Sequence, residues 1–377
     1  MIKALTILGT RPEAIKLAPL VKELSERKEF DSRLCSSGQH LEMLEGALGV
    51  FDLEVDHDLD LMEESQSLSG LTSRALTGIS EVLIEEKPDL VLVQGDTTTA
   101  FVGALAAFYH RIPVGHVEAG LRSGDKFNPF PEEINRRLAD DLSDIYFAPT
   151  DESRKNLLQE GYRKEAVYVT GNTVVDALLR IENAIERGKL EPDFPVDISA
   201  FEENHKKLVL VTAHRRESQD GGIARICQGL KRLTEEMADL EVVFPVHLNP
   251  KVREPVREIL ADARKVNLVE PVDYLTFIGL MRISDLIITD SGGIQEEAPS
   301  LGVPVLVARK KTERPEAIEA GTAALVGTDP DRIFEEARNL LIDREKYETI
   351  AGRVNPFGEG NAARKIADGI LNHFNAP

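Results

Sequence analysis

The sequence predicts an α/β fold in two halves, each a parallel sheet wrapped by helices, and three observations carry that expectation. Short β-branched and leucine-rich runs, "KALTILG", "PDLVLVQG", "IPVGHVEAG", "DIYFAPT" and "AVYVTGN", are each followed by a longer segment with helical spacing. A looser passage from Gly188 to Lys207 carries two prolines and reads as a connection, after which the pattern restarts with "KLVLVTAH", "LEVVFPVH", "VNLVEP", "DLIITDSGG" and "VPVLVAR". The 377 residues suit two or three domains of roughly 150 residues each, long enough for two buried cores. Two Rossmann-like domains facing one another are the economical architecture. Ile223 to Met237 and Pro330 to Leu341 read as helices of the second half, and Asn361 to Phe374 as a last helix able to pack on either domain. Ligands of open parallel sheets bind beyond the carboxyl ends of the strands, so the interdomain cleft is expected to gather the residues that end them.

Composition narrows the function. Apolar residues make up 42% and charged residues 29%, and 45 Lys and Arg against 65 Asp and Glu leave a net charge of −20. That balance argues against nucleic acid and anionic membrane as partners. It leaves room for a small anionic substrate, because a local cluster of cations and helix N-termini outweighs distant, screened acid. Cys35 and Cys227 form no metal-ligand pair or disulfide framework, which fits a reducing cytoplasm. No apolar run approaches the roughly 18 residues of a membrane span, and "MIKALTILGT" is an immediate strand without a cleavage site, so a cytoplasmic location is expected.

The strand ends are rich in charge. In "GTRPEAIK" Pro12 suits the start of a helix, and Arg11 with Lys16 adds cations to its positive end, as a phosphate would require; a solvated arginine is the alternative. Asp96 follows "DLVLVQG" and precedes three threonines, so it is either a reactive acid or a helix cap. Glu118 ends a strand that should be buried, where a carboxylate needs a task or a partner. In "FNPFPEEINRR" Pro131 opens a helix whose acids Glu132 and Glu133 are either reactive or a solvated first turn. His214 ends "LVLVTAH" among polar neighbours, and His247 occupies the same kind of strand end, with a core or second-site role open. Asp290 to Gly293, "DSGG", puts free backbone N–H groups at a helix start, with Glu296 and Glu297 just beyond. Asp140 and Asp144 share a helical face, but without a His or Cys cluster they read as salt-bridging rather than metal-binding. No Walker motif, G-x-G-x-x-G loop or nucleophile elbow occurs.

Taken together, "GTRPEAIKLAPL", "QGDTTTAF", "GHVEAGLR", "PFPEEINR", "GNTVVDAL", "TAHRRES", "DSGGIQEEAPSLGVPVL" and "TERPEA" closely resemble the non-hydrolysing UDP-N-acetylglucosamine 2-epimerases, in order along almost the whole chain. The resemblance implies a glycosyltransferase-B-like fold, a nucleotide-sugar in the cleft, a homodimer, and a C-terminal helix that returns to the first domain. The boundaries that follow are residues 1–171 with 360–377 for a domain of catalytic acids and 172–359 for a UDP-binding domain. It also implies that Arg11, Lys16, Asp96, Glu118 and His214 face the substrate. Ser291, Gly292, Gly293 and Arg314 would hold the diphosphate, Phe277 would lie against uracil, Glu297 would accept from the ribose, and Val272, where several relatives have Gln, would contribute through its backbone.

The implied reaction removes UDP from C1 as C2 loses its proton, giving a 2-acetamidoglucal, and re-adds UDP with protonation on the other face. Nothing is oxidised, so no cofactor is expected, and a cleft closed against water is. Asp96, Glu118 and Glu132 are the candidate proton carriers, and His214 joins the catalytic set. Some relatives are activated by a second substrate molecule, and Gln39, Gln66, Arg215 and His247 match that effector site, whereas Glu42 and Ser65 depart from the Gln and Arg of some regulated members. Competing readings are a glycosyltransferase of the same architecture, a 2-epimerase of a modified UDP-sugar, and a nucleotide-sugar-binding regulator without turnover. Polysaccharide biosynthesis is one setting for such an enzyme.

Overall fold

The structure is a computed structural model and describes residues 1–38, 48–61, 67–203, 206–215 and 221–375. It divides into two compact units, Met1–Ala177 with Phe357–Pro377, and Leu178–Pro356.

In the first unit β1 (Ile2–Leu8), β2 (Phe30–Ser36), β3 (His57–Asp58), β4 (Leu90–Gln94), β5 (Val114–Val117), β6 (Ile145–Ala148) and β7 (Val167–Val169) form one sheet. The order is β3-β2-β1-β4-β5-β6-β7, and every pairing is parallel, with Ala4 opposite Leu90 and Val91 opposite Val114. Between them run α1 (Arg11–Glu26), α2 (Leu68–Glu86), α3 (Thr98–Tyr109), α4 (Glu132–Asp141) and α5 (Asp151–Gln159), and α6 (Thr173–Glu186) follows β7, its residues from Leu178 on belonging to the second unit. The central strands are apolar on both faces, as helices on both sides require, and Leu5, Ile7, Val91 and Val93 are fully buried in one cluster with Ala75, Ile79 and Ala104.

The second unit repeats the plan. β8 (Lys207–Thr212), β9 (Leu240–Pro245), β10 (Val266–Val269), β11 (Leu286–Thr289), β12 (Val305–Val307) and β13 (Ala323–Leu325) lie in the order β10-β9-β8-β11-β12-β13, again all parallel. Its helices are α7 (Ile198–Glu203), α8 (Gly222–Glu236), α9 (Pro250–Leu260), α10 (Tyr274–Ile283), α11 (Gly292–Glu297), α12 (Pro315–Glu319), α13 (Pro330–Ile342) and α14 (Arg344–Ala351). Val209, Val211, Ile226, Leu230, Phe244 and Ile288 belong to one buried cluster.

Both expected sheets are present, and three strands are additional. β2 carries Asp31, Ser32 and Arg33 at half-buried positions, β3 is two residues long and β13 three, so none stands out as an apolar run. Each order reverses direction at an internal strand, between β1 and β4 in the first unit and between β8 and β11 in the second. Such reversal points leave a crevice at the carboxyl ends of the strands.

The last helix, α15 (Ala362–Asn375), belongs to the first unit. Asp176 of α6 accepts from the backbone N–H groups of Ala362 at 3.1 Å and Ala363 at 2.9 Å, two of the groups a helix start leaves without intrahelical partners. Arg27, just past α1, pairs with Asp368 at 2.6 Å, and at Gly369 a Cβ would come within 3.0 Å of the Phe147 ring. Asp176→Ala should therefore cost about 1–3 kcal/mol by leaving buried N–H groups unpaired. Hydrogen exchange checks this: the amides of Ala362 and Ala363 should lose protection before the β1 and β4 amides do.

Candidate active site

In the first unit the reversal point is built by one buried carboxylate. Thr10 caps α1, and its side chain receives the N–H of Glu13 while Glu13 reaches back, a capping box that puts Pro12 at the second helical position. Glu13 accepts from Gly9 N at 3.1 Å and Thr10 N at 2.7 Å, and its other oxygen accepts from Thr97 Oγ1 at 2.7 Å, tying the turn after β1 to the turn after β4. Burial pushes the Glu13 carboxyl up, and the bonds from Thr97, Thr10 and Gly9 hold it partly back. Gly9 has no room for a side chain there: a Cβ would meet Thr99 Oγ1 at 2.3 Å and Ser37 Oγ at 2.4 Å.

Asp96 is not the cap of α3. Thr97 fills that position, its side chain receiving Ala100 N, which leaves the Asp96 carboxylate to pair with Arg136 of α4 while its carbonyl accepts from Asn135 Nδ2 at 3.0 Å. Glu118, just past β5, is buried and sits at φ +66°, a left-handed conformation that costs a residue with a side chain about 1–3 kcal/mol. Lys16 Nζ lies 2.5 Å from its Oε2, and Gln94 Nε2 donates to the same oxygen. Arg11 is half-buried in the first turn of α1.

The two acids of "PFPEEINR" part company. Glu133 is buried and accepts from Ser123 N at 2.9 Å, Gly124 N at 3.3 Å and Arg136 Nη1 at 3.2 Å, so it shapes the preceding loop. Glu132 stays half-buried at the first position of α4. The expected helical face shared by Asp140 and Asp144 does not exist, because α4 ends at Asp141; Asp144 instead accepts from Val114 N at 3.0 Å.

In the second unit Asp290 plays the part of Glu13. It is fully buried after β11 and accepts from His214 N at 3.0 Å and Arg215 N at 2.9 Å, fixing the turn after β8. The His214 ring stacks on His247, which follows β9, with centroids 5.6 Å apart and planes 19° from parallel. Burial holds the His214 imidazole below its ordinary value, with His247 and Arg215 adding to the effect and Asp290 opposing it.

Cations converge on the turn "SGG". A Cβ on Gly292 would lie 3.6 Å from an Arg215 nitrogen and 3.9 Å from Arg314 Cζ. Arg314 pairs with Glu296, and Glu313 pairs with Arg309 at 2.7 Å and Arg215 at 3.3 Å. Ser291 caps α11, with Gly292 and Gly293 in its first turn. One helical turn on, Glu297 is buried and accepts from the Tyr274 hydroxyl at 2.6 Å. Tyr274 opens α10, which carries the half-buried Phe277, and Val272 is half-buried just ahead of the cap Asp273.

Of the effector positions, Arg215 and His247 lie together at these strand ends, whereas Gln39, Gln66, Glu42 and Ser65 fall outside the described residues. Among the described residues no group of three or more His, Cys, Asp or Glu is arranged to hold a metal ion, and no helix is long and apolar enough to cross a membrane. Cys35 and Cys227 are buried free thiols in different units, and burial pushes both up to about 12. The residues missed in the sequence are Glu13, His116, Arg309 and Glu313, whereas Asp140 forms the salt bridge expected of it, with Arg122 at 2.8 Å. For Glu13 a signal existed, since Thr10 and Glu13 have capping-box spacing.

Glu313 gives a measurable acid dependence. Burial alone would raise its carboxyl, but Arg309, Arg215 and Arg314 override that and hold it at about 2 against an ordinary 4.5. A depressed carboxylate contributes stability that is present above its unfolded value and lost as pH falls through its folded value. Urea midpoints measured on wild type and Glu313→Gln should therefore differ most at neutral pH, with the variant less stable. The gap should close between pH about 4.5 and about 2.

Residues 22–371 match the family model for UDP-N-acetylglucosamine 2-epimerase. The UDP-N-acetylglucosamine 2-epimerase of Yersinia pestis is 50% identical over 374 residues, covering 98% of this chain and 99% of that protein. That of Escherichia coli K12 is 49% identical over 376 residues, again 98% and 99%. The crystal structure of the Neisseria meningitidis UDP-GlcNAc 2-epimerase bound to UDP-GlcNAc superposes with a TM-score of 0.90 at 45% identity, covering 98% of this chain and 100% of that one. With two parallel sheets, as expected, and matches that span nearly its full length, the chain belongs to the UDP-N-acetylglucosamine 2-epimerase family.

Proposed function

We propose that the protein interconverts UDP-N-acetylglucosamine and UDP-N-acetylmannosamine by eliminating UDP and adding it back. The observation that carries this reading is Glu118, a buried carboxylate kept in left-handed backbone and gripped by Lys16 and Gln94. Strain of that kind persists where the surroundings over-determine it, which supports a working acid rather than a surface one.

The roles divide by unit. In the first, Asp96, Glu118 and Glu132 take the C2 proton and return one to the opposite face, with Arg11 and Lys16 beside them as cations. In the second, Ser291, Gly292 and Gly293 offer backbone N–H groups to the diphosphate and Arg314 offers its guanidinium. Glu297 accepts from the ribose hydroxyls, Phe277 lies against uracil, and the Val272 backbone contributes to the base contact. As the C2 proton leaves, the C1–O bond breaks, its electron pair stays with UDP, and a C1–C2 double bond forms. Donors already aimed at the growing negative charge supply the largest electrostatic contribution in such a step. His214, kept neutral, serves as a hydrogen-bond donor to the departing oxygen.

The reading extends to a homodimer working in the cytoplasm on a UDP-sugar, and sedimentation of the purified chain tests the dimer. Arg215 and His247 would form part of an effector site. Hyperbolic initial rates without lag would remove that role.

Proton NMR of UDP-N-acetylglucosamine with the enzyme in heavy water tests the reaction. The expected result is the manno epimer carrying deuterium at C2, with no acceptor added. Sugar transfer that requires an acceptor would instead indicate a glycosyltransferase, and binding without product a regulator. Asp96→Asn and Glu118→Gln should each lower kcat by about 10²–10⁴-fold, the usual range for loss of a proton-transfer group. Initial rates on folded variants check this.

A further inference from the structure

His116 lies within β5 and is fully buried. An imidazole there is costly unless both nitrogens find partners. Nε2 is 2.8 Å from the carbonyl oxygen of Gly95, and Nδ1 is 2.6 Å from Asp140 Oδ1. A carbonyl can only accept, so Nε2 carries a hydrogen. Asp140, also fully buried, accepts through its other oxygen from Arg122 Nη1 at 2.8 Å and Gly120 N at 3.3 Å, the partner set of a carboxylate. Facing acceptors on both sides, the ring holds hydrogens on both nitrogens.

We propose that His116 is a positioning residue, held doubly protonated between Asp140 and the Gly95 carbonyl, that fixes the turn presenting Asp96 and the strand end presenting Glu118. This rests on the reading of Asp96 and Glu118 as the proton-carrying acids.

Gly95 immediately precedes Asp96 and adopts φ +71°. Its N–H donates to Val117 O at 3.0 Å and its carbonyl accepts from His116, so both of its polar groups are bound to β5. The anchor of the ring, Asp140, also accepts from Gly120, two residues beyond Glu118. Gly120 sits at φ +84°, and a Cβ there would meet the Ser153 carbonyl at 2.3 Å, so that segment has no slack. One imidazolium–carboxylate pair thus ties α4, the turn after β4 and the turn after β5 together. A shift of about 1 Å in a reacting group can cost about 10²-fold in rate, which is the scale on which such anchoring matters.

The charges around the ring support the doubly protonated form. Burial opposes it, Asp140 and the Gly95 carbonyl more than offset burial, and Arg122 on the loop after β5 opposes weakly, so the imidazole is held above its ordinary value. Arg122 is itself paired with Glu160 at 2.5 Å, beyond the end of α5. Tyr146 of β6 stays neutral, its phenol pushed up by burial, then by Asp140, Asp144 and Asp141. With the folded value raised above the unfolded one, the pair contributes stability that is present at low pH and lost as pH rises through the folded value.

The test uses the full-length protein. Long-range proton–nitrogen NMR on the histidine-labelled enzyme, with His116 assigned by its absence in His116→Gln, should show both ring nitrogens protonated at pH 7.5; a singly protonated ring overturns the proposal. In steady state, His116→Gln, which can still donate to the Gly95 carbonyl but carries no charge, and Asp140→Asn should lose kcat by about 10–100-fold. KM for UDP-N-acetylglucosamine should stay within about 3-fold, because the groups that would hold the nucleotide are untouched. A wild-type fall in kcat as pH rises through the folded value of the imidazole should be absent from His116→Gln. Variants that fold with wild-type kcat and an unchanged pH profile overturn the positioning role. If wild type itself makes no epimer, the functional reading fails, and the NMR measurement still decides the protonation state.

Discussion

A strand that ends a parallel sheet and turns toward a helix leaves backbone N–H groups with no ladder partner, and in both units buried carboxylates supply one. Asp290 receives His214 N and Arg215 N, Glu13 receives Gly9 N and Thr10 N, Glu133 receives Ser123 N and Gly124 N, and Asp140 receives Gly120 N. Stripping water from a carboxylate costs several kcal/mol, and charge-assisted bonds of about 1.5–3 kcal/mol each offset it only when two or more converge. That condition is strict. It selects one geometry for each turn, and the residues the turns present inherit it.

This constraint separates acids that hold backbone turns from acids met by side chains. Glu13 and Asp290 are enclosed, and each accepts from two backbone N–H groups of the turn it holds. Asp96 and Glu118 are met instead by long side chains, Arg136, Lys16 and Gln94. A side chain can swing away as a substrate arrives, whereas a backbone donor moves only with its turn. The same residue type is thus scaffold in one place and a candidate reactant in another, according to which kind of partner it has.

Much of this plan was legible in the chain. Continuous apolar runs announced the central strands, and both sheets reverse order between strands whose ends carry the charged residues singled out in the sequence. What escaped depends on pairing across distance. His116 reads as one polar letter inside an apolar strand, and its partner Asp140 lies 24 residues on, in a helix whose period says nothing about that strand. Asp96 was ambiguous because aspartate and threonine both cap helices, and only the structure shows Thr97 taking the position. Glu132 and Glu133 are adjacent in a helix and so face different ways, but which one turns inward is decided by the loop 123–124 that folds back over it. Glu313 was hidden because its three arginines come from two separate strand ends.

The arginines also show how a chain of net charge −20 can receive a dianion. Near Ser291 to Gly293 none of the guanidinium groups described here stands without a carboxylate: Arg314 has Glu296, and Arg215 and Arg309 share Glu313. Such pairs hold the cations in fixed orientation and offset most of their charge, avoiding the self-repulsion of three bare arginines side by side. On the proposed reading, an entering diphosphate would add its charge to donors already in place. Affinity would then come from the orientation of these groups rather than from excess positive charge, so the acidic composition of the whole chain is no argument against an anionic ligand.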